Sequence, residues 1–182
     1  MKLDTNFRTL GPVNHAVLKA AVEKLPDDVW LDDKLRQESY DVHSQTQSLI
    51  LLFANGWPDI SIEKRKGWDL LAGEALPLMR QVVSSYYTPH GTIIRAVVAK
   101  LVAGGVIDEH IDNHPTFSIA HRIHVPLITN PGADFTIGGE TKNLLEGTAY
   151  EVNNLEFHSV INRGAEDRVH LIFDYVPDAP AS

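Results

Sequence analysis

The sequence predicts a mainly β protein, with helices in its N-terminal part and a β-barrel or jelly roll after them. Three observations carry this. Helical periodicity appears only before residue 90. Beyond it the chain breaks into short β-branched runs separated by glycine, asparagine and proline turns, the pattern of an all-β barrel. A chain of 182 residues, 43% apolar and 22% charged, suits one domain with a sizeable core. The expected organisation is a single domain over 1–182. A helical and strand part at 1–90 flanks a barrel core at 91–176.

The elements follow in order. Residues 13–25 read as an amphipathic helix: Val17, Leu18, Ala21, Val22 and Leu25 recur at helical spacing, and Pro26 stops it. Residues 27–45 are polar without a strong period. The apolar run 48–54 reads as a buried strand, and Asn55-Gly56 turns the chain. Residues 67–87 carry a second helical pattern, with Leu71, Ala75, Leu78, Met79 and Val82 on one face. Pro77 inside it predicts a kink or two shorter helices. Residues 92–103 read as one long strand broken by a bulge. Short strands are then expected at 121–127, 134–138, 141–145, 148–153, 158–162 and 168–176, and residues 177–182 read as a frayed tail. Trp30, Trp57 and Trp68 fall in the helical part and read as core residues.

Composition excludes several partners. A net charge of −8 argues against nucleic acid and against an anionic membrane surface, since both need a basic face. No apolar run is long enough for a membrane span, and the N-terminus has no apolar leader, so a cytoplasmic location is expected. Cysteine is absent, so any metal must be held by nitrogen and oxygen. Nothing in the sequence sets an oligomeric state.

The chemistry-bearing residues lie in the last part of the chain. His110 and Asp112 are two apart, His158 follows, and Arg168 comes ten residues later. Two imidazoles and one carboxylate can cap one face of an iron(II) ion and leave the other face open. Alone, His110-x-Asp112 is a weak signal, and a solvated turn explains it as well; His114 and His121 are rival histidines. Strand alternation puts His158, Val160 and Asn162 on one face, Arg168, His170 and Ile172 on another, and Arg122, His124 and Pro126 on a third. Arg168 interrupts an apolar strand, and a buried guanidinium needs an anion. The plainer alternative is an edge arginine paired with Glu166 or Asp167. Asp174 reads as a structural or salt-bridge carboxylate. Arg95, Asn162 and Arg163 are candidates for reading a substrate carboxylate.

From His110 onward the chain resembles the aspartyl/asparaginyl β-hydroxylase family of iron(II)/2-oxoglutarate dioxygenases. The matching segments are HID (110–112), HRIHVPLITNPG (121–132), GGE (138–140), EG (146–147), HSVINRG (158–164) and DRVHLIFD (167–174). Residues 1–90 carry no part of the resemblance. It implies a double-stranded β-helix (jelly-roll, cupin-like) barrel that uses iron(II), 2-oxoglutarate and dioxygen. It places the metal ligands on His110, Asp112 and His158. Arg168 is then placed on the distal carboxylate of 2-oxoglutarate, with Arg122 and His124 as further cosubstrate contacts. The implied reaction hydroxylates an unactivated C–H of an amino acid, an amino-acid derivative or a peptidyl residue, releasing succinate and CO2. Some members lack a carboxylate at the position of Asp112. Keeping it makes this chain look more like bacterial members and the related free-proline hydroxylases, although it is too short for the latter's additional C-terminal helical region. The alternative is a non-catalytic cupin-like module that binds a metal or a ligand.

Overall fold

The computed structural model describes residues 3–31, 46–88 and 90–178. Most of the polar stretch 27–45, Pro89 and residues 179–182 of the expected tail lie outside the described residues. Eleven strands, three helices and one 3-10 turn make up the described chain.

The N-terminal part contributes more strand than its helical pattern announces. Strand β1 (Phe7–Pro12) precedes helix α1 (Ala16–Glu23) and the short α2 (Asp27–Leu31). Leu18 and Val22 are the buried face of α1, and Trp30 is buried from α2. The run read as a strand is β2 (Thr46–Asn55). Gly56, at φ +79°, turns it back into β3 (Ser61–Lys64). Trp57 sits at the tip of this hairpin and is 48% exposed, so it is not the core residue expected; a turn leaves its side chain nothing to pack on.

Helix α3 (Lys66–Tyr86) runs 21 residues through Pro77, so the division into two shorter helices expected as one outcome does not occur. The reason lies in which side the proline occupies. Pro77 and Gly73, whose carbonyl loses its partner, are both exposed, so water can satisfy what the ring removes. The buried face of Leu71, Ala75, Leu78, Met79 and Val82 is undisturbed.

The barrel follows as β4 (Gly91–Leu101), β5 (Val106–His110), β6 (His121–Ile128), β7 (Ala133–Ile137), β8 (Glu140–Lys142), β9 (Thr148–Val152), β10 (His158–Asn162) and β11 (Arg168–Pro177). The expected bulge in β4 falls at Ile94, where the register against β11 shifts. Gly138 and Gly139, at φ +52° and +80°, make the tight β7–β8 turn. The larger sheet has the order β1-β9-β6-β11-β4-β2-β3 and the smaller β5-β10-β7-β8.

β11 lies within the larger sheet and shows how the layers divide. Val169, Leu171, Phe173 and Tyr175 face α1 and α3 in the main apolar core. Arg168, His170, Ile172 and Asp174 alternate with them, on the opposite side, towards the smaller sheet. Between the sheets, Phe7, Leu101, Ile107, Phe135 and Val160 form a second apolar cluster. No helix among the described residues is long and apolar enough to cross a membrane.

Candidate metal centre and cosubstrate cavity

The site begins with one strand pair. β5 and β10 run antiparallel, with His158 directly across from His110 and their ring centroids 4.2 Å apart. Strict alternation from the inward Ile107 would turn His110, three residues on, to the outside. The register shifts between His158 and Val160, so β5 carries one extra residue there, and this bulge brings His110 to the inner face.

Asp112 leaves β5 on a turn held by Asn154. Its N–H donates to the Asn154 carbonyl (3.2 Å), and its Oδ2 accepts from Asn154 Nδ2 (3.0 Å) and from Arg122 Nη1. One nitrogen from each histidine and one carboxylate oxygen all lie within 4.8 Å of one another. The tautomers are fixed. His110 Nδ1 bonds the Asp108 carbonyl (2.7 Å) and His158 Nδ1 the Glu156 carbonyl (2.9 Å). A carbonyl only accepts, so each Nδ1 carries a proton and Nε2 is the nitrogen through which each ring can ligate.

Charge follows the same pattern. Burial pushes the His158 imidazolium down, against the pull of Asp112, so the ring is neutral. Burial pushes the Asp112 carboxyl up, but Arg122, His158 and Asn154 outweigh it and hold the group below its ordinary value. Two imidazole nitrogens and one carboxylate, without thiolate, are a donor set that fits iron(II) with an open face.

These groups line a cavity whose walls include Leu101, Ile107, Phe135, Val160 and Ile172. Arg168 also lines it, 3% exposed and opposite Leu101 on β4. It is not an edge residue: Asp167 turns instead to the Ala103 N–H (2.9 Å). Arg168 Nη2 donates to His170 Nδ1 (2.7 Å). A guanidinium has no acceptor, so that nitrogen accepts and His170 carries its proton on Nε2. His170 is 1% exposed, and its Nε2 has no hydrogen-bond partner among the described residues. Burial above all, then Arg168 and His124, keeps this ring uncharged. A buried open donor beside a buried cation suits an anionic ligand.

Arg122 and His124 share the inner face of β6. His124 is buried across from Ile172, its ring 5.3 Å from that of Phe135. Arg122 forks onto Asp174, Nε to Oδ1 at 2.8 Å and Nη2 to Oδ2 at 2.9 Å, so Asp174 is the salt-bridge carboxylate expected. The rival histidines lie elsewhere. His114 caps the 3-10 turn Pro115–Ser118, and His121 pairs with the buried Glu151 (2.5 Å). Asn162 is fully buried and bonds the carbonyls of Leu101, Val102 and Glu166, while Arg163 pairs with Asp134 on the surface. Arg95 donates to Thr116 Oγ1 (2.5 Å) and lies 3.6 Å from Asp174. Sequence reasoning missed Asn154. Its only signal is a polar Asn153-Asn154 pair between two strands, ahead of His158.

A family model described as Aspartyl/Asparaginyl beta-hydroxylase matches residues 17–177. The chain belongs to this family. As an aspartyl/asparaginyl β-hydroxylase family member it is an iron(II)/2-oxoglutarate-dependent oxygenase, a hydroxylase that uses dioxygen. Solved structures agree on the fold, a double-stranded β-helix. A 2OG-Fe(II) oxygenase family oxidoreductase from Burkholderia pseudomallei aligns with TM-score 0.55 at 13% identity, covering 97% of this chain and 92% of that one. A viral collagen prolyl hydroxylase from Paramecium bursaria Chlorella virus-1, solved with 2-oxoglutarate, gives 0.55 at 8% identity, covering 97% and 98%. A prolyl-4-hydroxylase from Pseudomonas putida gives 0.52 at 9% identity, covering 97% and 95%. No curated protein matches the chain.

Proposed function

We propose that this family member hydroxylates an unactivated C–H of an amino acid, an amino-acid derivative or a peptidyl residue, and that its 182 residues act as one domain. His110, Asp112 and His158 hold iron(II) through two Nε2 atoms and a carboxylate. Bound iron supplies the activation of dioxygen, coupled to conversion of 2-oxoglutarate to succinate and CO2. Arg168 grips the distal carboxylate of 2-oxoglutarate, and the His170 Nε2–H stands beside it as a second donor. The apolar walls lower the local dielectric, which strengthens that charge-assisted contact. Arg122 and His124 wall the cosubstrate on the β6 side, and Phe135 and Ile172 keep water from it.

The observation that carries this reading is the pair of imidazoles tied back through Nδ1, converging with Asp112 on a cavity that Arg168 also lines. The test is a screen of free amino acids and peptides for stimulated 2-oxoglutarate consumption, with succinate measured under air. The expected result is iron-dependent succinate release, raised by the true substrate and reduced to background in His110→Ala and His158→Ala. An iron-loaded wild type that forms no succinate with any of them would favour the non-catalytic module instead.

A further inference from the structure

Asp112 is held on one oxygen. Oδ2 accepts from Arg122 Nη1 and from Asn154 Nδ2, and a carboxylate oxygen offers two lone-pair positions, so both are taken. Oδ1 accepts nothing from the described residues. Arg122 in turn cannot swing. Two of its nitrogens fork onto Asp174, which is fully buried, and its guanidinium carbon lies 4.4 Å from the Phe117 ring centroid. The arrangement is built into the sheet register. Arg122, Asp174 and Arg95 sit opposite one another on β6, β11 and β4, so charge alternates along Asp112, Arg122, Asp174 and Arg95. The sheet that carries this line also carries Arg168.

A carboxylate can offer a cation one oxygen or both. If Asp112 offered both, it would fill a coordination position that an oxygenase needs open. We propose that Arg122, forked by Asp174 and joined by Asn154, fixes Asp112 as a one-oxygen metal ligand. Arg122 is then a positioning residue, acting on the metal only through Asp112. This inference rests on the metal-site reading above and adds to it a division of labour: the strand pair β5–β10 supplies the nitrogens, and the larger sheet sets the carboxylate.

The test is a double-mutant cycle on the full chain, read as Mn(II) affinity by electron paramagnetic resonance, without turnover. Arg122→Gln is expected to weaken Mn(II) binding about 10- to 100-fold when Asp112 is present, the usual cost of losing an outer partner of a metal ligand. In an Asp112→Gly background the same change is expected to cost less than about 3-fold, because nothing remains to be clamped. The visible spectrum of the Co(II) form should shift in Arg122→Gln as the carboxylate binding mode changes. Equal losses in both backgrounds, or no loss with Asp112 present, would overturn the clamp and leave the metal site standing. Unchanged Mn(II) affinity in Asp112→Gly alone would overturn the metal-site reading and the clamp with it. Asn154→Ala in the same two backgrounds repeats the test without removing a buried charge, and the same coupling to Asp112 is expected.

Discussion

Arg168 is a guanidinium with 3% exposure, set in an apolar wall beside a neutral histidine. A hydrogen bond to a charged group contributes about 1.5–3 kcal/mol, so losing it costs roughly 10- to 100-fold in affinity. Arg168→Gln should therefore raise the 2-oxoglutarate KM by about that factor and leave Mn(II) affinity within about 2-fold. Isothermal titration with each ligand separates the two effects, and a shared loss would place Arg168 in the metal site instead. At this scale the sequence named candidates through its family resemblance, His110, Asp112, His158 and Arg168, and all four line one pocket. What holds them was not legible. The acceptors for both Nδ1 atoms are main-chain carbonyls, which no side-chain pattern records. Asn154 acts through a turn that joins residues 42 apart.

Two elements invite measurement. Pro77 interrupts the hydrogen-bond ladder of α3 on its exposed side, so Pro77→Ala should restore a bond without disturbing packing. The expected gain is about 1–2 kcal/mol, or a Tm higher by roughly 3–8 °C; a lower Tm would show that the ring packs usefully. The second element is the seam at β9. Glu151 is fully buried and accepts from Tyr87 (3.0 Å) and Arg8 (3.3 Å), with His121 Nδ1 at 2.5 Å. Burial raises its pKa, but these partners outweigh burial and hold it below the ordinary carboxylate value. The network's stabilisation is thus complete above the unfolded-state pKa and fades as pH falls through the lower folded-state value. Urea unfolding between pH 7 and pH 3 should show wild type losing its advantage over Glu151→Gln as the solution becomes acid. A constant difference would mean that the carboxylate's charge is not what matters. Most strands and turns of the barrel were readable from alternation and glycine pairs, but β5, which carries His110 where a loop was expected, was not. β1 and β3 were not, because β1 has only Phe7 and Leu10 as large apolar residues, three apart, and β3 is wholly exposed, so neither shows a period of two.

The whole molecule is stitched by its centre. His110 and His158 come from the two strands of one ladder and Asp112 from the turn beyond, so an ion that binds all three binds only the folded chain. Mn(II) at about 100 times its Kd should add roughly 2.7 kcal/mol to stability, and EDTA should remove that gain. A Tm indifferent to both would separate the triad from any metal. The barrel class was legible because it rests on many short strands together. The larger sheet's membership was not, since β2 joins β4 across the whole of α3, and pairing so distant leaves no local trace. One further consequence belongs to the extra residue in β5. Losing one of the two codons between Ile107 and His110 would straighten the strand and leave the histidine two residues from Ile107, still turned inward opposite His158. A relative with one residue fewer at this point can therefore keep its histidine facing the cavity on a regular strand, so comparison of such chains should allow a one-residue gap between Ile107 and His110.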